Sequence, residues 1–167
     1  NTTGGGSRML WDFYLTETYN LDEFFLSLYE LLVAYKDEDF SNVTTQQVAE
    51  IMQSYNNLTL EKKIIFSYFE EYYLNALRSY VDRAFTATAC KNLFNDLLTT
   101  QEKYLAYVLH VTNTEPEKVQ PKYEAEFKAA AEKLIDGYTD LTDAQKEEFG
   151  AIKSVCDFYE GKYNELA

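Results

Sequence analysis

The sequence predicts an all-α fold, a compact bundle of roughly five to seven helices, and three observations carry that expectation. Apolar residues recur at helical rather than alternating spacing along most of the chain. Two stripes open with a Thr followed three residues later by a Gln, the signature of a capping box. Only two prolines interrupt the 167 residues, and Pro116 and Pro121 bracket the one obvious loop.

Residues 1–8 contain a run of glycines and are expected to be a flexible lead, leaving residues 9–167 as a single all-α domain. Leu21, Phe24, Phe25, Leu28, Leu31, Leu32 and Tyr35 mark a first helix, with Asn20 as N-cap and Glu23 reaching back to the free amide. Asp37-Glu38-Asp39 closes it in a polar turn. Thr44 and Gln47 open a second helix that buries Val48, Ile51, Met52 and Tyr55. A third starts after Thr59 and is expected to continue through at least Phe85. Cys90, Leu93, Phe94, Leu97, Leu98, Tyr104, Leu105 and Val108 extend the helical period, with Thr86-Ala87-Thr88 and Thr99-Thr100 as expected breaks or bends. Tyr123, Phe127, Ala130, Ala131, Leu134 and Ile135 form the next stripe, with Gly137 expected at its C′ position. The last helix opens with Thr142 and Gln145 and buries Phe149, Ile152, Cys156 and Tyr159.

The pattern Tyr55-x-x-Leu58-Thr59-x-x-x-Lys63-x-x-Phe66 returns as Tyr138-x-x-Leu141-Thr142-x-x-x-Lys146-x-x-Phe149, and Ile51-Met52 stands in register with Leu134-Ile135. A duplicated helical hairpin would produce this echo. So would convergence, since an apolar residue, a Thr cap and a core aromatic suit any helix start. The Leu-Thr-x-x-x-Lys helix start resembles that of the nematode fatty-acid- and retinol-binding proteins, over this one short stretch. The resemblance implies a secreted, helical carrier of lipids.

Composition narrows the class of job. A net charge of −13 argues against nucleic acid and against anionic membrane surfaces, both of which call for clustered Lys and Arg. No apolar run approaches the ~20 residues of a membrane span, which predicts a soluble chain. The absence of an initiator Met suggests a processed or excised product. Asn1-Thr2-Thr3, Asn42-Val43-Thr44 and Asn57-Leu58-Thr59 are glycosylation sequons, with Asn42 and Asn57 in turns where a glycan reaches water. Cys90 and Cys156 are expected to form a disulfide, worth roughly 4 kcal/mol on the chain-entropy account. Together these features point to a secreted glycoprotein.

Catalytic and metal chemistry find no constellation. His110 is the only histidine and lacks a nucleophile motif beside it. The EF-hand frame Asp136–Glu147 fails at Tyr138 and at Leu141, where glycine is required. Glu70-Glu71 and Glu147-Glu148 are ordinary solvated pairs. No cofactor, no metal and no enzyme activity are expected.

The distinctive feature is aromatic: fifteen Tyr, eleven Phe and Trp11. In the third helix Ile65, Phe66, Phe69, Tyr72, Tyr73, Leu77, Tyr80, Val81 and Phe85 cover more than half of a helical wheel, against a narrow strip of Glu71, Asn75, Arg78 and Asp82. Such a helix is wrapped by others, presents rings to a partner, or lines a cavity. The expectation is a non-enzymatic binding protein engaging an extracellular protein through Phe69, Tyr72, Tyr73 and Tyr80. The alternative is a carrier of a small apolar, fatty-acid-like ligand between its helices.

Overall fold

A computed structural model describes residues 22–167, with side chains from residue 24 onward. The sequon at Asn1 and the Asn20 cap lie outside these residues, as does the side chain of Glu23. Among the described residues every regular element is helical: α1 (Asp22–Asp37), α2 (Thr45–Asn57), α3 (Leu60–Phe66), α4 (Glu70–Ala84), α5 (Thr88–Thr112), α6 (Pro121–Thr139), α7 (Asp143–Phe149) and α8 (Lys153–Leu166). Short 3₁₀ turns join α3 to α4 at Ser67–Phe69 and α7 to α8 at Gly150–Ile152, so the eight segments make six rods. None is long and apolar enough to cross a membrane.

The chain divides into two compact units, the first ending at Ala76 and the second running from Leu77 to Ala167. The boundary falls inside α4, where no linker composition marks it. In the first unit α1 lies along α2, and Phe24, Leu28, Leu31, Val48, Ile51, Met52, Tyr55, Phe66 and Tyr73 are its core. In the second, α5 and α6 form the principal pair, with α7 and α8 packed against them.

The capping chemistry is as expected at three starts. Thr44 and Thr142 each accept from the backbone N–H three residues on, and the Gln there accepts from the cap's own N–H. Thr59 accepts from Lys62 N–H. The Pro loop is as expected too, with Pro121 in the first turn of α6. Both stripes of buried residues predicted for α2 and for the last helix are buried.

Three boundaries differ from expectation. Thr99 and Thr100 do not break α5, because their hydroxyls bond back to the Asn95 and Asp96 carbonyls and the helix continues through them. Gly137 is not a C′ residue, since α6 runs on to Thr139. A Cβ there would meet Leu93 Cδ1 at 2.8 Å, so the glycine permits close approach of α5 and α6. The third rod is not one continuous α-helix: the 3₁₀ turn interrupts it, and α4 ends at Ala84. Three residues at about 120° each instead of 100° rotate all that follows by roughly 60°.

The sequence echo is also an echo of structure. The seven-residue α3 and α7, the 3₁₀ turns after them and the starts of α4 and α8 fall in the same register as the repeated motif. Phe66 and Phe149 are both fully buried. Lys63 sits 5.5 Å from the Tyr55 ring centroid and Lys146 sits 5.4 Å from that of Tyr138, so each copy carries the same cation–π pair.

Candidate functional site

The aromatic residues sort into two populations. Phe24, Tyr55, Phe66 and Tyr73 form a closed cluster in which every pair of rings lies within 6.1 Å. Tyr55 and Tyr73 are parallel at 5.4 Å and the other pairs are edge-on. Tyr55 donates its hydroxyl to Glu70 at 2.9 Å. The Tyr73 hydroxyl is buried without a hydrogen-bond partner, and burial, followed by the nearby Glu70 carboxylate, pushes its phenol above the usual tyrosine range. Tyr80 is likewise interior, its phenol pushed up to about 12 by burial. Tyr73 and Tyr80 are therefore core residues and cannot form a contact face. Phe69 is half-buried against Phe25 and Phe66, and of the expected four only Tyr72 is exposed.

The surface population is a different set. Ile64, Tyr68 and Tyr72 stand four residues apart, with 47%, 81% and 66% of their surface exposed. Tyr72 meets Tyr35 edge-on at 6.5 Å, which extends the ridge by one ring onto α1. At a uniform 100° per residue the three fall within about 80° of one another, opposite Phe66 and Tyr73, so the row is legible in the spacing. On α1 a second row, Leu26, Tyr29 and Val33, is exposed on the side away from Phe24, Leu28 and Leu31. Its i, i+3, i+7 spacing is legible in the sequence as a second apolar stripe on one helix.

Between α1 and α2 lies a groove of about 250 Å³ lined by Leu26, Ser27, Glu30, Leu31, Val43, Gln47, Glu50 and Ile51. Leu31 and Ile51 are buried and make its floor, while Glu30 and Glu50 are exposed at its edge. Gln47 spans the pair of helices: its Oε1 accepts from the Thr44 N–H at 2.8 Å, and its Nε2 donates to Glu30 at 2.8 Å. Glu50 accepts from Gln46 at 3.1 Å.

Cys90 and Cys156 are both free and buried, so the expected disulfide is absent. The Cys90 thiol is committed elsewhere, donating to the Gln145 carbonyl at 3.3 Å. Burial, then the Glu148 carboxylate, pushes its pKa up to about 11; burial, then Asp157, pushes Cys156 up to about 12. Neither thiol is an activated nucleophile. Glu148 has the opposite character. Its carboxylate accepts from Thr86 N–H at 3.0 Å, Thr86 Oγ1 at 2.8 Å and Ala87 N–H at 3.2 Å, and these bonds, the Thr86 amide foremost, hold its pKa down to about 2. Ala87, the N-cap of α5, has no capping side chain of its own, so α7 supplies one.

His110, in the last turn of α5, accepts at Nε2 from the Gln120 N–H at 2.8 Å, and its ring stacks on Tyr123 at 4.2 Å. Through this contact the histidine acts as a staple across the loop between α5 and α6. No protein-family model, curated protein or solved structure matches this chain.

The sequon residues Asn42 and Asn57 are both exposed. Their partner threonines, Thr44 and Thr59, are the caps of α2 and α3, which accounts for a Thr at each position without a glycan. The second copy of the motif carries Asp140 where the first carries Asn57, and keeps the Thr cap.

Proposed function

We propose that this chain is a non-enzymatic binding protein that engages another, extracellular protein through the Ile64–Tyr68–Tyr72 ridge of its first unit. The observation that carries this reading is the row itself: three large side chains in register on one face, held out to solvent. Water is a poor neighbour for such a row, and Tyr offers broad contact area, a polar tip and few rotamers to immobilise. The chain's acidity favours a partner with a basic rim. The extracellular setting rests on the sequons, and intact-mass measurement of a glycan at Asn57 tests it. The register shared by α3–α4 and α7–α8 supports descent from a duplicated hairpin, with the exposed row developed in the first copy.

The carrier reading has less support, because the four core rings close on one another instead of lining a void. A photo-crosslinking phenylalanine placed at Tyr68 or at Tyr72, in protein returned to its native fluid, tests the ridge. It should give a reproducible crosslinked protein that the same group at exposed Asn92 does not. Equal crosslinking at all three positions would remove the ridge from consideration. Native mass spectrometry that finds an extractable apolar molecule in the same preparation would revive the carrier.

A further inference from the structure

We infer that the groove between α1 and α2 is a second docking site, which receives a lysine side chain presented by a partner protein. The inference takes its occupant class from the protein-binding reading but uses residues distinct from the ridge. The groove pairs an apolar floor, Leu31 and Ile51 with Val43 at one end, with two carboxylates at its edge. That is the complement of a lysine, whose methylene stem is apolar and whose head is a compact cation. Glu30 and Glu50 are each held by a glutamine amide, and among the described residues neither meets a lysine or arginine. Their charge is therefore left for an incoming group. Carboxylates so oriented need little reordering on binding.

The occupant is a side chain on a protein segment, not a free amine. At about 250 Å³ the groove falls below the usual size of small-molecule pockets, and it does not enclose what enters. Leu26 lines the groove and also begins the exposed Leu26–Tyr29–Val33 row, so the apolar surface continues past the mouth along α1. A segment with apolar residues flanking its lysine covers both features; a small amine covers one.

Val43 lies inside the sequon Asn42-Val43-Thr44, so a glycan on Asn42 would stand at the groove's end. The site requires Asn42 to be unmodified.

The test is a nuclear magnetic resonance titration of the full chain with three probes: acetyl-Leu-Lys-Leu amide, its norleucine analogue, and n-butylammonium. The lysine peptide should shift the amides of Leu26–Leu31 and Val43–Ile51. The norleucine peptide should bind up to about fivefold more weakly for each carboxylate it fails to engage. The Glu30→Gln/Glu50→Gln variant should lose the same preference while keeping the wild-type spectrum elsewhere, and Tyr68→Ser/Tyr72→Ser should keep it. Equal binding of lysine and norleucine peptides would overturn the inference, as would retention of the preference in the glutamine variant. Butylammonium binding as tightly as the peptide would overturn the protein source. Shifts confined to Ile64, Tyr68 and Tyr72 would overturn the groove and leave the ridge standing. A glycan found on Asn42 of the native protein would also overturn it.

Discussion

Replacing Glu148 by Gln should destabilise the fold and remove an identifiable part of its acid sensitivity. The carboxylate accepts three hydrogen bonds, two from backbone N–H groups at the start of α5 and one from the Thr86 hydroxyl. A side-chain cap is worth about 1 kcal/mol, and charge on the acceptor at a helix N-terminus adds to that. Because the carboxylate is only partly sheltered, solvent screening limits the total to about 1–2 kcal/mol. Glutamine keeps one acceptor oxygen but turns an N–H donor toward donors. The pH dependence follows from the sign of the shift. The folded pKa, about 2, is below the ordinary 4.5, so the stabilisation is complete above about 4.5 and is lost as pH falls toward 2. Urea unfolding followed by far-ultraviolet circular dichroism, on both proteins from neutral pH downward, reads the difference directly. The gap should be constant above pH ~5 and narrow steadily below it. A Thr86→Ala double-mutant cycle should show coupling between the two positions. A gap of zero at neutral pH, or one that stays constant through the acid range, would refute the capping argument.

Other consequences are simpler to check. Glu38 follows α1 with φ 56°, a left-handed conformation that its Cβ disfavours, so Glu38→Gly should raise stability by about 0.5–1 kcal/mol in thermal melts. Thr44→Ala should cost about 1 kcal/mol through the α2 cap, whereas Asn42→Gln in unglycosylated protein should cost nothing measurable, separating the cap from the sequon. His110→Phe preserves the ring stack but removes the acceptor for Gln120, and the Gln120 amide should exchange faster with deuterium than in the wild type. Both cysteines should resist alkylation while the chain is folded and react fully in denaturant without a reductant.

Much of the architecture was legible because it rests on local chemistry. A Thr that accepts from the amide three residues on acts within a single turn, so Thr44, Thr59 and Thr142 announce their helices wherever the chain later folds. Buried stripes such as Val48–Ile51–Met52–Tyr55 follow from 3.6-residue periodicity in the same way. The repeat of Tyr55–Phe66 in Tyr138–Phe149 was visible as spacing, and the matching lysine–tyrosine pairs show that the spacing carries equivalent contacts.

What only the tertiary structure decided depends on partners far apart in the chain. Two cysteines in a sequence do not reveal whether their sulfurs meet, and the Gln145 carbonyl took the Cys90 thiol instead. Glu148 looked like half of an ordinary acidic pair because its role lies at the start of a helix some sixty residues earlier. Gly137 looked like a helix stop because only Leu93, across the α5–α6 contact, explains a glycine inside a helix. Most consequential is how the aromatic rod around Ser67–Phe69 is packed. Composition made the rod rich in rings and helical spacing already set Tyr68 and Tyr72 opposite Tyr73, but only packing against Phe24 and Tyr55 decided which of those faces became core and which meets water.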